Sequence, residues 1–164
     1  VAVTGMGVVT SLGQGQADTW AALTAGRSGI HRIERFPTDG LRTKIAGTVD
    51  YVPVEPFVAP MLSQRLAELA AEEAIGQSAI GSGGDFPGAL FIAVPPVEME
   101  WPQRQALAEA SGQTGDVSYA DLLKAARGGG FKAWHDLFLF GTVADRLADR
   151  FGTRGSPISL STAC

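Results

Sequence analysis

Residues 89–94 form a run, ALFIAV, in which every side chain is apolar. A strand with water on one face alternates apolar and polar residues, whereas a strand covered on both faces is apolar throughout. The run therefore predicts a strand that lies between two layers. Because helical segments stand before and after it, the sequence favours an α/β fold with a mixed sheet covered by helices.

Short strands and helices alternate along the rest of the chain. Three further segments have the β-branched or alternating pattern of strands: residues 1–4, 44–49 and 158–161. Five segments have the spacing, composition or capping signals of helices: residues 18–25, 63–78, 102–110, 118–128 and 136–151. The remainder of residues 27–51 is expected to be ordered loop.

Some of these segments also carry predictions about burial. The strand at residues 1–4 is expected inside the core, and Ile158 and Leu160 are expected to face inward. The helix at residues 63–78 is expected to begin at a Ser63 cap. It is also expected to be central and buried, because one of its faces carries only small side chains: Ala67, Ala70, Ala71 and Ala74.

Composition excludes several classes of function. The 164 residues are 45% hydrophobic and 18% charged, which is typical of a soluble globular domain. The formal net charge of −4 gives no support for a nucleic-acid partner, since phosphate binding needs clustered Lys and Arg. No apolar run reaches the roughly 18 residues of a membrane span, so a cytoplasmic location is expected. Cys164 is the only cysteine, which excludes a disulfide framework and a cysteine-based metal site in this sequence.

Four motifs together resemble one known family. They are VAVTGMGVVTSLG at residues 1–13, LTAGRSGI at 23–30, ELAAEEAI at 68–75 and GSPISLSTAC at 155–164. In this order they are similar to the β-ketoacyl-acyl carrier protein synthases, condensing enzymes of the thiolase-like superfamily. The resemblance implies a thiolase-like five-layered αβαβα fold built from two pseudo-repeated halves. Residues 1–164 would be the N-terminal half-domain, and the C-terminal half is not present in this sequence.

The resemblance also implies a chemistry for Cys164. In the family this position holds the nucleophile at a strand-to-helix turn, where backbone N–H groups and the helix dipole favour the thiolate. The thiolate would accept an acyl group from the phosphopantetheine arm of an acyl carrier protein, and the enzyme itself would bind no cofactor. Two histidines and a lysine of the C-terminal half would complete the site. A homodimer, or a heterodimer with a related subunit, is the implied assembly.

Two aromatic residues are candidates for acyl binding. Counted back from Cys164 without gaps, Trp134 and Phe138 fall where related enzymes line the acyl cavity from across a dimer. The sequence departs from the family nearby. AVPPVEMEWPQR at residues 93–104 replaces a glycine-rich turn, and Gly141 stands where asparagine is common. These departures predict unusual acyl-chain selectivity.

Other residues have functional readings that compete with simpler ones. His31 and His135 match no catalytic position of the family, so structural or surface roles are favoured. Residues 5–10, GMGVVT, imitate a dinucleotide fingerprint but lack the third glycine and an immediately following helix. Glu98 and Glu100 form a possible acid-base pair, although a solvated turn beside Trp and Pro is the favoured interpretation.

Three functions remain open at this stage. The leading hypothesis is an elongating condensing enzyme of fatty-acid or polyketide biosynthesis. The second is a non-catalytic partner subunit resembling a chain-length factor. In such subunits the nucleophile is replaced, so the retention of Cys164 argues against this function. For Cys164 itself, the simpler alternative to a nucleophile is a small buried hydrophobic residue. The third is a thiolase acting on coenzyme A thioesters, which would share the fold and the nucleophile.

Overall fold

The structure is a computed structural model that describes residues 1–54, 58–81, 84–94, 99–112 and 118–161. Its helices are α1 (Gly15–Thr24), α2 (Ala59–Ser78), α3 (Trp101–Ala110), α4 (Tyr119–Arg127), α5 (Lys132–Leu137) and α6 (Thr142–Phe151). Its strands are β1 (Val9–Thr10), β2 (Gly13–Gln14), β3 (His31–Arg32), β4 (Ile45–Ala46), β5 (Phe91–Val94) and β6 (Ile158–Ser161). Within these ranges, no helix is long and apolar enough to cross a membrane.

The strands pair as three separate two-stranded sheets. β1 with β2 and β3 with β4 are short antiparallel pairs, whereas β5 and β6 are parallel. The fold class is α/β as expected, but the single mixed sheet is wrong for the described part of the chain. Parallel pairing of β5 and β6 requires a long crossover, and the segment with α3 to α6 supplies it.

The N-terminal segment lies across α2 instead of forming a buried strand. Residues 1–4 are exposed and not part of a strand, so that prediction is wrong. The backbone amides that follow are bound by side chains of α2 and not by a neighbouring strand. Met6 N donates to Gln77 Oε1 at 2.9 Å, and Val8 N donates to Glu73 Oε2 at 2.9 Å.

Glycine allows this segment to approach the helix backbone closely. A Cβ atom at Gly7 would lie 1.8 Å from the carbonyl oxygen of Ala70, and one at Gly5 would lie 2.0 Å from that of Ala74. The small side chains of α2 permit this close packing, as their pattern in the sequence predicts.

The buried core lies between α2, α6 and one face of β5. Its centre, the core cluster, consists of Val94, Val143, Leu147 and Phe151. Partly buried residues pack around it: Ala67, Ala71, Ile75, Leu90 and Ile92. Phe91 is 64% exposed and Val94 only 3%, so β5 is covered on one face. The prediction of a strand covered on both faces is wrong for the described structure.

The same asymmetry holds for β6. Ile158 and Leu160 are 44% and 49% exposed, although the sequence pattern placed them inside. Both pair in register with β5, Ile158 opposite Phe91 and Leu160 opposite Ala93. Side chains opposite one another in a sheet share a face. The two strands consequently present one apolar face that nothing in the described structure covers.

Helix boundaries differ from the predicted ones where capping was misjudged. α2 begins four residues before Ser63, with Val58 as its N-cap and Pro60 in its first turn. Proline is compatible with that position because the first-turn amides have no partner inside the helix. The prediction for α4 is confirmed, since Ser118 Oγ accepts a hydrogen bond from Asp121 N at 3.3 Å.

The helix predicted at residues 136–151 is two helices, α5 and α6. Thr142 Oγ1 donates to the carbonyl oxygen of Asp136, an acceptor that a continuous helix would use for the amide of Phe140. The chain resumes helical structure after Gly141. α6 ends at Gly152, whose φ of 61° is left-handed, as the sequence predicted for a glycine stop.

We predict that Gly7→Ala destabilises the protein by about 1–3 kcal/mol, because the added methyl group would overlap the backbone of α2. Thermal unfolding of the purified protein measures the change. Gly76→Ala is the matched control, since a Cβ there meets no atom within 4 Å and alanine favours a helix interior. Equal unfolding temperatures for Gly7→Ala and the unmodified protein would contradict the close approach.

Candidate active site

The parallel pair β5–β6 defines the edge at which a site is expected. Val94 and Ser161, the last residues of the two strands, stand opposite each other in the register. In sheets with parallel strands, ligands bind outside the carboxyl ends. Cys164 follows Ser161 by three residues in the sequence and lies outside the described residues. The chain therefore approaches the candidate nucleophile along a strand whose position is defined.

Backbone hydrogen bonds hold the segment before β6 against the segment before β5. Phe86 N donates to Phe151 O at 2.8 Å, Arg154 N to Gly88 O at 2.9 Å, and Ile158 N to Leu90 O at 3.0 Å. The path of β6 is thus fixed over its whole approach to the carboxyl edge.

Gly152 makes this pairing possible. A Cβ atom there would lie 2.1 Å from the carbonyl oxygen of Gly84, and its left-handed φ already disfavours other residues. The glycine that ends α6 therefore also brings the chain next to the segment that leads into β5.

The carboxylate of Glu68 on α2 binds Arg150 of α6. Glu68 is only 6% exposed and accepts hydrogen bonds from Gln64 Nε2 at 2.8 Å, Arg65 Nη1 at 3.1 Å and Arg150 Nη1 at 3.0 Å. Glu72, one turn further along α2, pairs with the same arginine, Arg150. This network joins α2 to α6, the helix that carries three of the four residues of the core cluster.

The electrostatics of Glu68 follow from these partners. Burial raises the pKa of its carboxyl group, but the hydrogen bonds from Gln64 and Arg65 and the charge of Arg150 outweigh burial and lower it. A lowered carboxyl pKa contributes stability above the ordinary value of 4.5, and this stability is lost as the pH falls through the lowered pKa. Sequence analysis missed Glu68, although its spacing from Gln64 and Arg65 was a visible signal.

Glu100 has a defined role that sequence analysis also missed. Its Oε1 accepts a hydrogen bond from Ala59 N at 2.6 Å and thereby caps the first turn of α2. A carboxylate is favourable at this position because of the helix dipole. The interpretation of a solvated turn did not include this contact of Glu100, while Glu98 lies outside the described residues.

The two candidate acyl-binding residues lie at the end of α5, Trp134 within the helix and Phe138 as its C-cap. Trp134 and Phe138 are half-buried and one helical turn apart, with Phe138 N donating to Trp134 O at 3.0 Å. The Trp134 ring packs on Phe131, with 4.8 Å between ring centroids. The structure thus places the two predicted residues close together at the end of α5, and their role in acyl binding stays a prediction.

The histidines do not form a catalytic pair. Asp50 and Thr48 both contact Nε2 of His31, at 2.7 and 2.8 Å, while Nδ1 faces the carbonyl oxygen of Gly29. A triad would need the acid and the nucleophile on opposite nitrogens. His135 is exposed on α5, and across the described ranges no group of His, Cys, Asp or Glu side chains could hold a metal ion.

Comparisons with known proteins show which proteins the chain is similar to. Residues 1–75 match the family model of the β-ketoacyl synthase N-terminal domain. Over its whole length the chain is 31% identical to a Streptomyces cyaneus protein assigned as polyketide β-ketoacyl synthase 1. It is 29% identical, again over its whole length, to 3-oxoacyl-acyl-carrier-protein synthase 2 of Vibrio cholerae. The chain is a relative of the β-ketoacyl synthases.

This relationship covers only part of those proteins. The chain spans 39% of the Streptomyces relative and 38% of the Vibrio relative. A solved complex of a type II polyketide synthase acyl-carrier protein with its ketosynthase bound to the hexaketide has a chain with the same fold. The likeness has a TM-score of 0.63 at 24% identity, and it covers 98% of this chain and 37% of that one. The sequence-based recognition of β-ketoacyl synthases is confirmed.

We predict that Glu68→Gln lowers the stability of this β-ketoacyl synthase relative by about 1–3 kcal/mol, because the buried network loses its charge-assisted hydrogen bonds. Urea unfolding followed by circular dichroism measures the effect. Glu72→Gln is the matched control, because Glu72 pairs with the same arginine from an exposed position and should contribute less than about 1 kcal/mol. Equal losses of stability in the two variants would show that the burial of Glu68 does not strengthen its hydrogen bonds.

Proposed function

We propose that the protein to which this chain belongs is an elongating β-ketoacyl-acyl carrier protein synthase of fatty-acid or polyketide biosynthesis. The observation that carries the proposal is the whole-length match to such synthases together with the parallel strand β6, which leads into Cys164. Residues 1–164 are the N-terminal half-domain in this proposal, and a C-terminal half supplies two histidines and a lysine.

In the first half-reaction Cys164 is the nucleophile. Its thiolate attacks the carbonyl carbon of an acyl thioester on the phosphopantetheine arm of an acyl carrier protein. The new carbon–sulfur bond forms as the carbonyl electron pair moves onto the oxygen. When this oxyanion collapses, the old carbon–sulfur bond breaks, and the pantetheine leaves as a thiolate that takes up the proton released from Cys164. The backbone N–H of Cys164 is one proposed donor to the oxyanion of this step.

In the second half-reaction the stored acyl group is extended. A malonyl thioester on the carrier protein loses carbon dioxide, and the electron pair of the broken carbon–carbon bond becomes a carbanion. The carbanion attacks the cysteine thioester, and the cysteine thiolate leaves to regenerate the enzyme. The product is a β-ketoacyl thioester, and the enzyme binds no cofactor of its own for this chemistry.

The uncovered face of β5 and β6 supports the five-layered arrangement. Phe91, Ile158 and Leu160 share this face and are each more than 40% exposed. An apolar sheet face of this kind is stable in a folded protein when another layer covers it. We assign that covering layer to the C-terminal half of the synthase.

The free edge of β6 supports an assembly of two synthase subunits. Ile158 N donates to Leu90 O, so this amide points toward β5. Successive amides of a strand point in opposite directions. The amide of Ser159 therefore points to the other edge, which no strand in the described ranges occupies. A second subunit, identical or related, pairs there and brings Trp134 and Phe138 toward its neighbour's acyl cavity.

We predict that Cys164→Ala in the full-length protein abolishes acyl loading, because no other group of this half can form the thioester. Intact-mass measurement after incubation with a mass-tagged acyl-acyl carrier protein detects the loaded enzyme. Ser159→Ala, which keeps every backbone donor, is the control and should load normally. A polypeptide limited to residues 1–164 should form no condensation product. Undiminished loading of Cys164→Ala would refute the assignment.

We predict that Ser159→Pro weakens both subunit association and condensation, because proline removes the amide at the free edge of β6. Analytical ultracentrifugation and a condensation assay on the same preparation measure the two effects. Ser159→Ala again serves as the matched control and should remain a dimer. A fully active Ser159→Pro monomer would exclude an interface along this strand.

A further inference from the structure

Each ring nitrogen of His31 faces a hydrogen-bond acceptor. Nδ1 is 3.0 Å from the carbonyl oxygen of Gly29, and Nε2 is 2.7 Å from Asp50 Oδ2. A carbonyl and a carboxylate only accept hydrogen bonds, whereas a neutral imidazole carries a proton on one nitrogen. Both contacts are satisfied together only when His31 is the doubly protonated cation.

The position of the Thr48 hydroxyl group is also compatible with a protonated His31. Its hydroxyl donates to Asp50 Oδ2 at 2.8 Å, and its oxygen lies 2.8 Å from His31 Nε2. With the hydroxyl proton directed at Asp50, the oxygen offers a lone pair to the N–H of His31. The single Nε2 proton of the cationic imidazole is then shared between Asp50 Oδ2 and Thr48 Oγ1, so the three side chains contact one another.

These contacts close the base of a protruding arm, which we define as residues 31–50. β3 and β4 are only two residues long, and one further backbone bond joins Ile33 N to Lys44 O at 3.0 Å. Outside the arm, Tyr51 is tied to the body of the protein, since its hydroxyl donates to Thr10 O at 3.0 Å. The side-chain contacts of His31 act together with the β3–β4 pairing and with the bond from Arg35 Nη2 to Val49 O at 2.8 Å, which also hold the arm closed.

We propose that His31, in its protonated form, is a pH-sensitive clasp that holds the 31–50 arm closed against Asp50. Loss of one proton removes the His31 donor either to the Gly29 carbonyl or to Asp50, and the arm opens more often. The proposal concerns a conformational device of the fold and is independent of the condensation chemistry.

The neighbouring charges favour the protonated form. The hydrogen bond to Asp50 is the main cause that raises the pKa of His31 above 6.5, with burial opposing it and the Gly29 carbonyl and the charge of Glu34 adding to it. The pKa of Asp50 is lowered below 3.8, mainly by the hydrogen bond from His31. Arg35 lies 3.6 Å from Asp50 and also keeps that carboxylate ionised.

The sign of the pH dependence follows from these directions. A raised histidine pKa gives stabilisation that is complete below the ordinary value of 6.5 and is lost as the pH rises through the raised pKa. A lowered aspartate pKa gives stabilisation above 3.8 that is lost as the pH falls through the lowered value. The clasp is closed between these two limits.

Hydrogen–deuterium exchange of the full-length protein tests the clasp. At pH 6, His31→Gln and Asp50→Asn should each speed amide exchange in residues 31–46 by about two- to tenfold, as loss of one hydrogen bond predicts. At pH 9, after correction for the intrinsic exchange rate, the unmodified protein and His31→Gln should exchange alike. His135→Gln, which changes the exposed histidine of α5, should leave the arm unchanged.

Three results would overturn the proposal. If the amides of the arm exchange equally fast in His31→Gln and in the unmodified protein at pH 6, His31 does not hold the arm closed. A difference of equal size at pH 6 and pH 9 would show that the contact does not depend on protonation. A nitrogen-15 spectrum of the His31 ring below pH 6, with only one ring nitrogen protonated, would exclude the cationic clasp directly.

Discussion

The close contact of α2 with its neighbours is the constraint on which the rest of the described structure depends. Along one stripe of this helix the side chains are small. Ala70 and Ala74 receive the backbone of Gly7 and Gly5, while the adjacent alanines pack around the core cluster. A larger side chain on either partner would separate the backbones by more than van der Waals contact allows. The N-terminal segment and the β5–β6 pair are therefore both positioned by one helix.

The buried carboxylate of Glu68 fixes the position of α6 along the axis of α2. Apolar contacts between α2 and α6 tolerate sliding, whereas hydrogen bonds from Arg150 to Glu68 hold one axial position. Because α6 runs through Gly152 directly into the segment before β6, a fixed α6 also fixes the approach to the carboxyl edge. The packing of α6 against α2 therefore fixes the chain as far as β6, after which the proposed nucleophile Cys164 follows in the sequence.

Local signals in the sequence predicted several elements well. The α4 cap, the glycine stop of α6, and the helix of residues 102–110 depend on neighbours within a few residues, and the structure confirms them. Prediction failed where a distant group decided the outcome. The first turn of α2 is capped by Glu100, forty-one residues away. No local pattern contains this contact.

The sequence by itself determined the family, through four motifs in a fixed order, and the α/β class, through short apolar runs between helical segments. It also named Cys164, Trp134 and Phe138, whose roles stay predictions. Only the tertiary structure decided which faces are buried. Apolar composition says that Phe91 and Leu160 favour burial, but which side of a strand receives a covering layer depends on where distant segments pack. That placement is a property of the whole packed chain, which is why the register of β5 and β6 had to be seen in the structure.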